Sequence, residues 1–199
     1  MQLEAHEEKD GFKVWLTDSE IEEFCDVDDI DDRISSALMA RCGLRSKEAK
    51  DVSKDDVVKL EDGTYRIRVW QGKGAKYREV PAPRWLADTI TTTADARDLH
   101  GGESVIPYSK RTILRRVIAR GEELAEERGE EGWKYVRPHD LRRSWGTLLV
   151  SKDDENQGVS PRTAMEWGGW DDWRTFRDRY LGKLTHDQEA KEMESVSWL

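Results

Sequence analysis

The chain has 199 residues, 36% hydrophobic and 38% charged, with a mean hydropathy of −0.86, which fits one domain with a real core and short tails. It contains no run of about eighteen apolar residues to cross a membrane, its acidic start MQLEAHEEKDGF resembles neither a signal nor a transit peptide, and Cys25 and Cys42 are too few for a disulfide framework or a four-ligand zinc site. The net charge of −9 is unevenly spread: residues 1–32 hold thirteen acids against two lysines, a net of −11, and the remainder carries +2, so a pI near 5.1 does not argue against a nucleic-acid partner.

Residues 1–15 read as an acidic tail. Thr17 and Glu20 fit a capping box, followed by Ile21 and Phe24 at helical spacing, which predicts a helix over 18–25. A second helix follows the acidic stretch 26–32, with Ile30, Ile34, Leu38 and Cys42 recurring every fourth residue and Gly43 as its stop. After Leu44-Arg45 comes a brief polar helical turn. Val57–Leu60 then runs into the turn signature Glu61-Asp62-Gly63, and Tyr65, Ile67 and Val69 alternate with Arg66, Arg68 and Trp70. Gly72-Lys73-Gly74-Ala75-Lys76 turns the chain again, and Tyr77–Val80 returns, completing a three-stranded meander with a basic, glycine-rich tip. Helices are expected over 84–97, 109–128, 139–150, 161–167, 172–181 and 185–195. The fold class is therefore mixed, mainly α with a small three-stranded antiparallel sheet. One domain spans 16–183, and 184–199 forms a C-terminal tail or helix.

Several residues could carry chemistry. His139 and Arg142, in Arg-Pro-His-Asp-Leu-Arg-Arg, are three apart, so a helix sets them on one face near its N-terminus, where a phosphate can be clamped beside a proton carrier. A plain surface helix accounts for that spacing equally well. Arg45 follows the helix stop, with Glu48 three residues on. The pair is either a buried arginine held by its carboxylate or an ordinary solvated ion pair. Lys73 at a hairpin tip can reach across a cleft, though most turn lysines do nothing of the kind. Trp167-Gly168-Gly169-Trp170 precedes Tyr180 by ten residues, and among nine tryptophans most serve packing. No metal site is expected, since His6, His100, His139 and His186 lack ligand spacing.

Taken in order, Gly-Leu-Arg-Ser-Lys-Glu, Gly-Lys-Gly-Ala-Lys, Pro-His-Asp-Leu-Arg-Arg and Gly-Gly-Trp followed by Arg-Asp-Arg-Tyr-Leu closely resemble the catalytic domain of the tyrosine recombinase (phage integrase) family over residues 16–182. The resemblance implies a DNA breaking-rejoining fold and a site-specific recombinase. Tyr180 would attack a phosphodiester of double-stranded DNA, leaving a 3′-phosphotyrosyl link that a 5′-hydroxyl later reseals, with no cofactor, metal or ATP. Arg45 and Arg142 would neutralise the nonbridging oxygens as planar forks. His139 would assist the tyrosine, whose ordinary pKa is about 10. Lys73 would protonate the leaving oxygen, Trp170 would stand where the family often has a second histidine, giving one hydrogen bond and packing, and Glu48 would orient Arg45. Lys76 and Arg143 would contact DNA. The interval from Trp170 to Tyr180 is one residue longer than the family's usual.

The lack of a membrane run, of a targeting segment and of a cysteine framework reads as a cytoplasmic protein, and the resemblance implies a homo-oligomer (tetramer) on DNA and a missing N-terminal core-binding domain. The acidic leader and the wording Gly-Gly-Trp-Asp-Asp-Trp are similar to integrases of halophilic archaea or their viruses. Two roles are open for the leader: solubility in concentrated salt, or occupation of the basic cleft until DNA displaces it. Two other functions remain, a type IB topoisomerase-like relaxing activity and a non-cleaving DNA-binding regulator on the same fold.

Overall fold

The computed structural model describes residues 1–6, 10–70, 77–151 and 158–180, with Arg179 and Tyr180 by backbone alone. In chain order the elements are β1 (Gln2–Ala5), β2 (Phe12–Trp15), α1 (Asp18–Cys25), α2 (Ile30–Arg41), α3 (Ser46–Lys50), a 3₁₀ turn (Lys54–Asp56), β3 (Val57–Lys59), β4 (Tyr65–Val69), β5 (Arg78–Ala82), α4 (Arg84–Ala96), α5 (Lys110–Arg128), a second 3₁₀ turn (Glu131–Tyr135), α6 (Pro138–Val150), α7 (Pro161–Gly168) and α8 (Trp173–Tyr180). The mainly helical class and the three-stranded antiparallel sheet, order β3-β4-β5, match the sequence reading. The tip at 71–76 and the helix expected over 185–195 lie outside the described residues.

Local chemistry sets the helix starts. Thr17 accepts from the Glu20 backbone N–H at 3.3 Å while the Glu20 carboxylate accepts from the Thr17 N–H at 2.7 Å, the reciprocal cap that opens α1. Asp29 caps α2 by accepting from the N–H groups of Asp31 and Asp32. Helix α2 runs through the middle of the molecule, with Ile34, Leu38 and Cys42 wholly buried, and packs against α1, α3, α4, α5 and α6. A satellite core of Trp145, Ala164, Trp170 and Phe176 joins α6, α7 and α8. Burial pushes the Cys25 thiol up to about 12 and the Cys42 thiol higher still, so both remain protonated core hydrophobes.

The stretch expected as an acidic tail contains two strands, β1 and β2. They form an antiparallel pair, Gln2 opposite Trp15 and Ala5 opposite Phe12, whose second strand buries Val14 and Trp15. The backbone N–H of Val14 donates to Asp140 at 3.3 Å and that of Leu16 to the Ser144 hydroxyl at 2.8 Å, lacing the pair to α6. Four-residue strands carry too little alternation to be read from the sequence pattern.

The leader's carboxylates are engaged with the body of the domain. Asp31 pairs with Arg97 at 2.6 Å, Asp32 with Arg116 at 2.7 Å, Glu23 with Arg128, and Asp18 with Arg41. Three of these acids thus dock on α5 and the residue just past α4. Among the described residues, none of the leader's acids sits in the arginine cluster described next, so the cleft-occupying role has no support from their placement.

Candidate active site

Glu48 is the hub of the site. Arg45 is the N-cap of α3 and Glu48 its third residue, so the short helix folds the Glu48 carboxylate back onto Arg45: Oε2 accepts the Arg45 backbone N–H at 2.8 Å and Oε1 the Arg45 Nη1 at 2.8 Å. Neither reading of this pair fits as it stands: the carboxylate is buried, with Glu48 8% exposed, while the Arg45 side chain is partly open. From β5, Arg78 closes a planar fork on the same carboxylate, Nη1 to Oε1 at 3.1 Å and Nη2 to Oε2 at 2.7 Å. From α6, Arg142 Nη1 stands 3.9 Å from Oε2. Burial alone would push the Glu48 carboxyl up. The hydrogen bonds and charge of Arg78, joined by those of Arg45, outweigh it and hold the group at about 2.

That depression fixes a pH dependence. The folded pKa lies below the ordinary 4.5, so Glu48 stabilises the fold fully above pH 4.5 and loses that contribution as pH falls toward about 2. We expect Glu48→Gln to melt well below wild type at neutral pH, by about 3 kcal/mol, and the gap to narrow across this acid window. Thermal melts of both proteins from pH 7 downward test this, and a gap independent of pH would rule it out.

Helix α6 starts with Pro138 at its first turn, and Asp140 accepts the Arg137 N–H at 2.9 Å. Its repeat sets His139 and Arg142 on one side, His139 exposed and Arg142 0% exposed. The Arg142 guanidinium donates to the Gly43 and Gly168 carbonyls, the latter at 2.5 Å, and it lies 4.6 Å from the centre of the Trp170 ring. In this conformation Arg142 supports the site from within, and the solvent-facing fork is that of Arg45, whose side chain is 27% exposed.

The Gly168-Gly169 pair follows from the same packing. A Cβ at Gly168 would collide with the Trp170 ring, and Gly169, the C-cap of α7 at φ +66°, runs along the Arg78 side chain. Trp170 is buried against Arg142, Trp145 at 5.8 Å and Phe176 at 4.6 Å. Packing is therefore the part of its expected role that this conformation displays. Phe176 anchors α8, and position 180, one helical turn on, falls on the same side of that helix. The Tyr180 side chain lies outside the described residues.

Two expected DNA contacts fare differently. Lys76, like Lys73, lies outside the described residues, between strands that end in the exposed and mutually packed rings of Trp70 and Tyr77, 5.1 Å apart. At Arg143 the side chain is buried, paired to Asp140, with its guanidinium 5.1 Å from the Trp15 ring centre. It is part of the lacing between α6 and β2. Arg78 is the residue sequence reading missed. Its signal was present, since alternation puts it on the inward face of β5 with Val80, where a lone charge must find a partner.

A mainly helical domain with this sheet, and with its arginines gathered on one carboxylate beside a tyrosine-bearing helix, has the fold of tyrosine recombinase catalytic domains. It aligns with a crystal structure of XerA recombinase at a TM-score of 0.70 and 20% identity, over 92% of this chain and 64% of that one. It also aligns with the catalytic domain of bacteriophage HP1 integrase at a TM-score of 0.57 and 16% identity, over 92% and 96%. The model of the phage integrase family matches residues 15–186, and the chain belongs to that family. Tyrosine recombinase XerA of Thermococcus kodakarensis is 31% identical over 162 residues, 81% of this chain and 54% of that protein, and tyrosine recombinase XerC of Escherichia coli O157:H7 is 33% identical over 135 residues, 64% and 42%. The chain thus spans about half the length of these curated relatives. Among the described residues no helix is long and apolar enough to cross a membrane.

Proposed function

We propose that this domain is the catalytic part of a site-specific DNA recombinase that cuts and reseals strands through a 3′-phosphotyrosyl intermediate. The observation that carries this reading is the gathering of Arg45 and Arg142 within 4 Å of one ionised carboxylate, beside the helix that ends in Tyr180. One carboxylate among three arginines leaves a local surplus of two positive charges, which suits a phosphodiester whose charge grows on its nonbridging oxygens in the transition state.

In cleavage, the Tyr180 oxygen forms a bond to phosphorus as the bond from phosphorus to the 5′-oxygen breaks. His139, exposed at the start of α6, takes or helps to place the phenolic proton, and Lys73 gives a proton to the departing 5′-oxygen. Arg45 binds a nonbridging oxygen through the part of its fork that Glu48 leaves open. Rejoining runs the same steps backwards with a 5′-hydroxyl as nucleophile, and the energy of the broken bond is kept in the phosphotyrosyl link. We also assign the protein to the cytoplasm, to a tetrameric assembly on DNA and to a halophilic archaeal or viral source. The Tn1549 transposon integrase that shares the fold, in complex with transposon right end DNA, supports the DNA partner, and the acidity of residues 1–32 supports the salt-adapted origin.

The test is covalent trapping on nicked duplexes, resolved on a denaturing gel. Arg45→Ala should lower the rate of trapping by about 10²–10³-fold, the cost of one charge-assisted donor at a developing oxyanion. A rate near wild type would remove Arg45 from the site. Supercoil relaxation without strand exchange would favour the topoisomerase-like reading, and binding without any trapping the regulator.

A further inference from the structure

None of the roles above places Arg78 on the DNA, yet it is the most thoroughly held of the three arginines. It is 8% exposed, and each of its guanidinium nitrogens donates to protein: Nη1 and Nη2 to Glu48 at 3.1 and 2.7 Å, Nε to the Trp167 carbonyl at 2.9 Å. Arg45 places only Nη1 on Glu48 and keeps the rest of its fork at the surface. A buried guanidinium is tolerable only when its donors are met, so Arg78 serves as an anchor and has no hand to offer a phosphate.

Two connections follow from this anchoring. On one side, the fork fixes the plane of the Glu48 carboxylate, leaving its other lone pairs to the Arg45 N–H and Nη1. Arg142, at 3.9 Å, stays beyond hydrogen-bond reach of Glu48 and turns to the carbonyls of Gly43 and Gly168. On the other side, the bond to Trp167 and the close passage of Gly169 along the Arg78 side chain set the turn that delivers Trp170 under Arg142. Arg78 also opens β5, five residues after Lys73 in the sequence.

We propose that Arg78 is a positioning residue for DNA cleavage: it holds Glu48 and the 167–170 turn in one fixed register, so that Arg45 and Arg142 act from set places and the strand returning from Lys73 is tied to both. The proposal rests on the recombinase reading. Without Arg78, Glu48 is free to swing to Arg142 and cancel the charge the phosphate needs.

The test begins with a pool of nicked duplexes of randomised sequence, from which covalent products of the wild type identify a cleavable duplex. Single-turnover cleavage and affinity for that duplex are then measured for wild type, Arg78→Met, Arg78→Lys, Glu48→Gln and the Arg78→Met/Glu48→Gln pair, each well below its own Tm. Arg78→Met should cleave about 100-fold more slowly with little change in DNA affinity, as expected for reacting groups displaced by roughly an ångström. Arg78→Lys should keep the fold and the affinity but not the rate, because an ammonium cannot form the fork. The double variant should be no slower than the slower single one, because both substitutions remove the same unit.

Wild-type cleavage by Arg78→Met would overturn the proposal. So would Arg78→Lys restoring rate together with Tm, or fully additive losses in the pair. Should Arg78→Met not fold, Arg78→Lys decides alone. If the wild type traps no duplex in the pool, the recombinase reading fails and this proposal with it. If the wild type traps and Arg78→Met traps equally fast, only the role of Arg78 fails.

Discussion

Tyr180→Phe is expected to abolish covalent attachment to DNA, a loss of at least about 10⁴-fold, while leaving DNA binding close to wild type. The substitution removes one oxygen and leaves α8 in place, because that helix is held through Phe176, buried against Trp170 at 4.6 Å. Binding depends on cations distributed over the surface, and none of these changes. Denaturing gels report the covalent link and filter binding the affinity. A trapped complex with Tyr180→Phe would sink the assignment of the nucleophile. Loss of binding in step with loss of trapping would mean that the phenol helps to hold DNA.

The second large effect is expected at Gly43. Its φ of +62° is the left-handed conformation that costs a side-chain-bearing residue about 1–2 kcal/mol, and a Cβ there would run into the Trp145 ring. Displacing a buried indole adds about 1–3 kcal/mol. Gly43→Ala should therefore lose about 3 kcal/mol, on the order of 10 °C in Tm for a chain of this size. The damage reaches the site, since the Gly43 carbonyl accepts from Arg142. Gly63→Ala is the control. Its φ is also positive, +83°, but nothing lies within 4 Å of the added carbon, so only the backbone cost should appear. Equal melting of the two variants would mean that the Trp145 ring yields without resistance.

Much of this was legible in the residues themselves. Thr17 and Glu20 announced α1, the four-residue spacing from Ile30 to Cys42 announced the central helix, and Tyr65–Val69 announced the middle strand, because each rests on local hydrogen bonding or on one repeating period. The partnership of Arg45 with Glu48 was readable for the same reason, as it lies within one helical turn. What escaped depends on pairing distant parts of the chain. Nothing near Arg78 names Glu48, thirty residues earlier, as its partner. Nothing near Arg143 says that Trp15 will cover it. The expectation that Arg142 faces a phosphate came from its spacing to His139, which fixes the side of the helix but not the depth at which the helix is buried.

The lacing of β2 to α6 also bears on how the chain is made. Val14 and Leu16 bond to residues 126 and 128 positions later, so these contacts have a very large sequence separation and close only after most of the domain has emerged. At about 5–20 residues per second of synthesis, the first strands wait on the order of ten seconds for the helix that carries Arg142. During that interval Val14 and Trp15 lack the cover of α6, an apolar edge in a stretch whose net charge of −11 would disfavour self-association.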